Sequence, residues 1–427
     1  MILHGSMMAD EPIECPRAPL DRVLSAPPSK SVTHRALVVA ALASGASEIL
    51  DPLRAEDSRA TLGALQALGI EVDEFAAHFA VRGCAGEVPG GGTIDAGESG
   101  TTARFALALA ALGARASRID GAPRLRKRPF TDLANSLHAL GARVEMSTGG
   151  AELPAVAGGA PLSGGRVRIE SGRSSQFASA LLLIGPRLPG GLDLCLVPPV
   201  VSLPYVELTV EVMRSFGVEV ERVEPLRFRV AEGAYPGRRY RVEGDHSSAS
   251  YFLAAAAIAG GRVRVEGLDP ASAQPDSSLG PLLRRMGCEV EHGELWIEVR
   301  GADRLRGIDV DLTDSPDIVP TVAVVAMFAD RPSVLRGIGH LRDKESDRLL
   351  MLAENLNRLG CTARAGPDRI EIEPGGSLRG TSIRTASDHR MAMAFALAAL
   401  RLEGVSVDDP NCVSKSNPDF WRQFASL

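Results

Sequence analysis

Apolar positions in this chain gather into a pattern that returns six times. Its first instance, residues 27–49 (PPSKSVTHRALVVAALASGASEI), opens with a short polar tip carrying Ser29, Lys30, Ser31 and Arg35. An Ala/Leu/Val run follows, closed by a Gly turn and a short strand-like end. Hydroxyls just ahead of an apolar run mark a helix N-terminus. A run that is apolar almost all round predicts a helix buried on most faces. The other instances begin at Ser99, Ser174, Ser247, Pro316 and Asp388. With Ser31, Thr101, Ser175, Ser248, Pro320 and His389 as markers, the spacings are 70, 74, 73, 72 and 69 residues.

A second, more amphipathic series runs between these helices. It reads LGALQALGIEV, LANSLHALGARVE, LTVEVMRSFGVEVE, LGPLLRRMGCEVE and LAENLNRLGCTA. Its glycines, Gly69, Gly141, Gly217, Gly287 and Gly360, are spaced 72, 76, 70 and 73. A Gly at that point is a helix stop. Two series with one period predict six repeats, each with two helices and several strands. Strands alternating with helices predict sheets covered by helices. The simplest symmetric packing buries the three apolar helices of each half in its centre, with their N-termini toward a cleft. Free N–H groups and partial positive charge there suit anions.

The length of 427 residues points to two or three domains, and two halves of three repeats fit that. The breaker is Gly233–Gly237 (GAYPG). Apolar residues at 45% and charged residues at 23% are an ordinary globular balance, while 4% aromatics leave a core of Ala, Leu, Val and Ile. A net charge of −6 argues against nucleic acid as the partner. Six scattered cysteines (15, 84, 195, 288, 361, 412) without a CxxC pair fit a reducing compartment, with no disulfide framework and no zinc site. No apolar run of membrane-spanning length lacks a Gly, Pro or charge. Residues 1–7 read as an added leader ahead of a natural start near Met7 or Met8, without a signal-peptide pattern. No phosphate-binding P-loop or dinucleotide glycine pattern is present, so no cofactor is expected.

The cations are the candidate chemistry. Lys30 and Arg35 flank the first helix start and Arg104 lies one turn into the second. Arg124, Arg126, Lys127 and Arg128 crowd GAPRLRKRPF. Lys344, Arg348, Arg390 and Lys415 lie in the last two repeats. Singly, each reads as solvated charge. As a set at helix starts they oppose the macrodipole, and an anionic ligand explains them better. That reading is favoured for Lys30, Arg128, Lys344, Arg348 and Arg390, with Arg126 and Lys127 facing solvent. Glu345 lies beside Lys344 and Arg348, either as an ion-pair partner or as a carboxylate tuned for proton transfer. Asp317 is either a helix cap or a general base. Ser174, Ser175 and Gln176 are either caps or ligand contacts, and Asp388–Arg390 either a cap with a surface pair or part of the site.

These motifs carry a resemblance. SKSVTHRAL, SGTTAR, RLRKRPF, SSQFASALL, SLPYVELT, VEGDHSSASYFLAAAA, LRDKESDR, SDHRMAMAFALAAL and CVSKSNPDF resemble those of the 5-enolpyruvylshikimate-3-phosphate synthases, from about residue 20 to the C-terminus. The resemblance implies an α/β fold of two inverse barrel-like domains, each of three βαβαββ repeats. One globule would be 29–241, the other 1–28 with 242–427. The implied reaction joins shikimate 3-phosphate to phosphoenolpyruvate, with no metal or organic cofactor. It implies Lys30, Ser31, Arg35, Ser174, Ser175, Gln176, Ser202, Tyr205, Asp317 and Lys344 on shikimate 3-phosphate. It implies Lys30, Gly100, Thr101, Arg128, Gln176, Arg348, His389, Arg390 and Lys415 on phosphoenolpyruvate. Asp317 would be the base for the 5-hydroxyl and Glu345 the donor to C3, with Lys30 and Lys344 both open as participants in the proton transfer.

A cytoplasmic monomer inhibited by glyphosate is the matching expectation, with no membrane and no nucleic-acid partner. Facing cations also imply that the halves close when anions bridge them. Small-angle scattering should then show a smaller radius with ligands, and an unchanged radius would count against closure. Pro28 stands where the family has Gly, removing an N–H. Glu98 and Ser99 replace a commoner Asn-Ala, and His340 replaces Asn. Two rivals stand beside this reading: a UDP-N-acetylglucosamine enolpyruvyl transferase, for which Cys84 lies in unsuitable surroundings, and an inert anion-binding protein on the same scaffold.

Overall fold

The computed structural model describes residues 9–14, 19–147 and 152–427. The proposed leader, residues 1–7, and Cys15 lie outside the described residues. The chain forms two compact units, Pro28–Val242 and Glu243–Leu427, the latter together with the segment through Pro27.

Unit Pro28–Val242 holds three apolar helices, Lys30–Leu42, Gly100–Ala111 and Gln176–Ile184. Their small side chains let helix backbones approach closely, and every residue from Val32 to Leu42 is buried. Ser29 and Ser99 cap the first two helices by accepting from the Val32 and Thr102 backbone N–H groups. The middle repeat shows the common plan. Strand Thr93–Asp95 runs parallel to Ser117–Asp120, which runs antiparallel to Ala155–Ala157, which in turn pairs with Val144–Met146. The third repeat repeats this order with Gly165–Glu170, Leu192–Val197, Arg227–Val230 and Val220–Glu224. In the first repeat the outer parallel strand comes from the far end of the unit: Arg239–Arg241 lies beside Ala46–Leu50. A parallel neighbour requires a crossover. No strand of the unit precedes its first helix, so the chain end supplies one.

The other unit solves the same problem with the N-terminal segment, where strand Leu20–Ser25 runs parallel to Gly261–Glu266. Its apolar helices are His246–Ala259, Val319–Met327 and His389–Ala396. Among the described residues its first two sheets have four strands, but the last has two, Ser382–Ile383 and Ser406–Val407, the latter flanked by Asp10 and Ile13, whose N–H groups donate to Val407 O and Val405 O. The sixth repeat therefore departs from the predicted plan of several strands. After Val407 the chain carries Pro410 and Pro418, which cannot donate to a ladder. It forms the turn Pro410–Lys415 and the helix Phe420–Ala425 instead. Phe420 packs edge-on against Tyr251, with ring centroids 5.8 Å apart, and ties that helix to the core.

The five glycines of the amphipathic series have φ of +84, +88, +77, +106 and +91°, the left-handed region that glycine enters without penalty. Two helix starts differ from the sequence reading. The fourth apolar helix begins at His246 with Asp245 as cap, accepting from Ser248 N at 2.6 Å, so Ser247 and Ser248 lie inside its first turn. The fifth begins at Val319, and the residue before it, Ile318, has no capping side chain.

Candidate active site

In unit Pro28–Val242, Lys30 opens the first apolar helix and its Nζ lies 3.0 Å from Asp57 Oδ2. Asp57 comes from the first turn of helix Glu56–Ala67 and is buried. Arg35, one turn on from half-buried Ser31, is 2% exposed. Its Nε donates to Thr209 Oγ1 at 2.8 Å, Nη1 to Ser31 O at 2.9 Å, and Nη2 to Ser179 Oγ at 3.4 Å and Tyr205 O at 3.0 Å. A guanidinium has five N–H groups, so one on Nη1 remains. Burial pulls Arg35 down to about 10, partly offset by Tyr205.

Arg104 is also fully buried and reaches Gln176 Oε1, while Gln176 Nε2 donates to Thr101 Oγ1 at 2.8 Å. The second and third helix starts are thereby tied together. Arg128 is buried against Gly100: a Cβ on Gly100 would stand 2.6 Å from Arg128 Nη1. Arg126 pairs at the surface with Asp120, and Glu98 is exposed. Ser174 and Ser175 are buried, and Ser174 Oγ accepts from Gln176 N at 3.3 Å. Ser202 is 3% exposed at a φ of +56°, and its buried Oγ has no protein partner. A buried hydroxyl left so in a strained backbone is a place for a ligand acceptor. Its neighbour Val201 donates to Ser171 O at 3.2 Å, which holds this segment beside the serines, and Tyr205 is half-buried at the start of helix Pro204–Ser215.

The unit containing Glu243–Leu427 gathers the acids. Arg348, the first residue of helix Arg348–Arg358, is 1% exposed. Its Nε donates to Asp388 Oδ2 at 2.8 Å, Nη1 to Asp317 Oδ1 at 3.1 Å and Nη2 to Glu345 Oε2 at 2.8 Å. Burial works against this charge, but Asp388, Glu345 and Asp317 outweigh it and hold the guanidinium above its ordinary range. Arg390 Nη2 donates to Asp317 Oδ2 at 2.6 Å, so each Asp317 oxygen takes one arginine. Asp317 is not a helix cap. Asp388 is one, accepting from Arg390 N at 3.0 Å, and it is wholly buried.

Lys344 and Glu345 are half-buried ahead of the helix, with Lys344 extended, so Lys344 and Arg348 do not share a helix face. His389 is wholly buried with Nδ1 3.7 Å from Asp388 Oδ1, and Lys415 is buried at the end of its turn. His340 is 7% exposed and its Nε2 has no protein partner. Burial and the Lys344 charge push its imidazole down to about 3, so it is neutral at working pH. Cys84 is pushed up by burial, the opposite of an activated thiol. Among the described residues, no group of three or more His, Cys, Asp or Glu could hold a metal ion, and no helix is long and apolar enough to cross a membrane.

The sequence reading assigned no role to Asp57, Arg104 or Asp276. Along the chain Asp57 is an ordinary acidic residue and Arg104 one cation among many. Asp276 carried no local signal apart from QPDSS, a turn sequence.

The sequence profile described as EPSP synthase (3-phosphoshikimate 1-carboxyvinyltransferase) matches residues 15–424. A relative from Methanoculleus marisnigri, named 3-phosphoshikimate 1-carboxyvinyltransferase, is 43% identical over 94% of this chain and 96% of its own length. One from Thermococcus kodakarensis with the same name is 44% identical over 96% of this chain and 98% of its own. The solved structure of EPSP synthase from Acinetobacter baumannii superposes with a TM-score of 0.80 at 26% identity, covering 97% of each chain.

Proposed function

This chain belongs to the EPSP synthase family, and from that premise we infer how its residues serve the reaction. The enolpyruvyl group of phosphoenolpyruvate is transferred to the 5-hydroxyl of shikimate 3-phosphate, and phosphate is released. The step belongs to the shikimate pathway toward aromatic amino acids. Both substrates are anions, which gives the cations and helix starts of each unit their purpose.

The observation that carries the residue assignment is the Arg348 guanidinium shared by Asp317 and Glu345. The 5-hydroxyl gives its proton to Asp317 and its oxygen bonds to C2 of the enolpyruvyl group. The C2–C3 double-bond pair takes a proton at C3 from Glu345, with Lys30 and Lys344 both open as participants in the proton transfer. The tetrahedral intermediate then expels phosphate as C3 returns a proton. Two arginines on Asp317 favour its charged form and weaken it as a base. A substrate carboxylate or phosphate that engages Arg348 and Arg390 loosens those pairs and restores its basicity. Ser174, Ser175 and Ser202 receive the 3-phosphate, supported by the partnerless Ser202 hydroxyl. Gln176 lies over the ring beside Tyr205, with Arg104 fixing its amide. Arg35, with four of its five N–H groups engaged in the protein, mainly fixes Ser31 and Tyr205. Gly100, Thr101, Arg128, Arg348, His389, Arg390 and Lys415 hold phosphoenolpyruvate. A cytoplasmic monomer sensitive to glyphosate completes the reading.

The deciding experiment is phosphate release by purified protein without added metal. Release that needs both substrates supports the reading. No release with binding intact would move the weight to the inert binder. A sharper expectation concerns Gly100→Ala. The new methyl displaces the Arg128 guanidinium, so the phosphoenolpyruvate KM should rise roughly 10- to 100-fold, the weight of one charged hydrogen bond. Shikimate 3-phosphate affinity should hold. An unchanged KM would remove Arg128 from the donor site.

A further inference from the structure

We propose that Asp276 is a positioning residue for the donor substrate: its buried carboxyl, held between Ser247 and the segment bearing Asp317, governs how much of the Arg390 charge is left for an incoming anion. This rests on the reaction assigned above and deepens it.

Asp276 lies in the turn Pro275–Ser278 and is 2% exposed. It accepts from the Ser247 hydroxyl, in the first turn of helix His246–Ala259. The turn is stitched to the Asp317 segment from either side. Ser315 Oγ donates to Pro275 O at 3.0 Å and is hydrogen-bonded to Ser278 Oγ, also at 3.0 Å. The Arg390 guanidinium, on Asp317 through Nη2, reaches Tyr251 OH at 3.4 Å through Nη1. Ser250 and Thr321 hydroxyls, 3.1 Å apart, join the fourth and fifth apolar helices below this point. Asp276 is thus packed where the starts of three helices meet.

The charged groups that act on it are Asp317, ahead of the fifth helix, Arg390 in the sixth and Asp245, the cap of the fourth; Arg390 and Asp317 in turn act on Tyr251 and Arg348. Burial raises the Asp276 carboxyl first, and the Asp317 charge adds to it. Arg390 and Ser247 oppose the rise, and the balance is about 7. The neighbouring His246 is pushed down by burial. The sign follows. Below pH 7 Asp276 is neutral and does not draw on the Arg390 guanidinium that pairs with Asp317. Above pH 7 it does, so the pull of Arg390 on a substrate anion weakens while Asp317 gains basicity from the new like charge.

The test compares the wild-type protein with Asp276→Asn, measuring KM for phosphoenolpyruvate and kcat between pH 6 and 9. The donor's own titration affects both proteins alike, so the ratio of their KM values isolates Asp276. The wild-type to variant ratio should rise roughly tenfold across the range, the effect of one nearby charge at a partly screened site. The shikimate 3-phosphate KM ratio should stay level. A phosphoenolpyruvate ratio constant with pH would overturn the proposal, because a merely structural role moves no pH profile. Ser247→Ala gives an independent reading and decides the matter if Asp276→Asn does not fold. Without the hydroxyl donor the carboxylate is less favoured, so the wild-type alkaline weakening should move to higher pH. An unmoved midpoint would overturn the proposal as well. Absence of any wild-type turnover would instead strike at the assigned reaction.

Discussion

Asp317→Ala is expected to lower kcat about 1,000-fold while shikimate 3-phosphate still binds. A positioned general base is worth roughly 10²- to 10⁴-fold, and Asp317 accepts from the guanidinium groups of both Arg348 and Arg390. The distinguishing sign lies in the donor KM. Asp317 engages both guanidinium groups, so its removal releases positive charge toward the donor anion, and KM for phosphoenolpyruvate should hold or fall while kcat collapses. A fall in kcat with a rising donor KM would instead mark Asp317 as a binding residue. Near-normal turnover would remove it from the role of base altogether. Steady-state phosphate release, with calorimetry of shikimate 3-phosphate binding, reads every one of these outcomes.

Arg348→Met should be the most damaging change for stability. Arg348 is 1% exposed and meets three carboxylates, one of them, Asp388, wholly buried. Breaking a buried pair by removing one partner costs about 3–5 kcal/mol, because the remaining charge is left uncompensated. In a unit of this size each kcal/mol moves the melting temperature by about 2–4 °C, so a drop of roughly 10 °C is expected by calorimetry. Arg348→Lys restores the charge but cannot reach Asp388, Asp317 and Glu345 at once, and should recover less than half of the loss. A melting temperature within a degree of the parent would mean the three acids need no buried cation.

Much of the fold was legible along the chain because its signals are local. Apolar helices at one period, serines ahead of Val32 and Thr102, and glycines after the amphipathic helices are each readable within a turn or two. The truncated last sheet was less visible. Its strands are two residues each, and the prolines that follow announce only that a ladder cannot continue.

By itself, then, the sequence determined the repeat, most of the helix starts and the supply of cations and acids near them. The motif match added the reaction and the roles assigned to those residues. Tertiary structure decided which charges meet. Arg348 pairs with Asp388 forty positions on, Arg35 with Thr209 across 174, and Asp276 with Ser247 across 29. It also decided that Asp317 lies between two arginines and caps no helix. The reason is range. A cap or a helix stop depends on neighbours a few residues away, whereas an ion pair between repeats exists only after the helices have packed and set the distance between their starts.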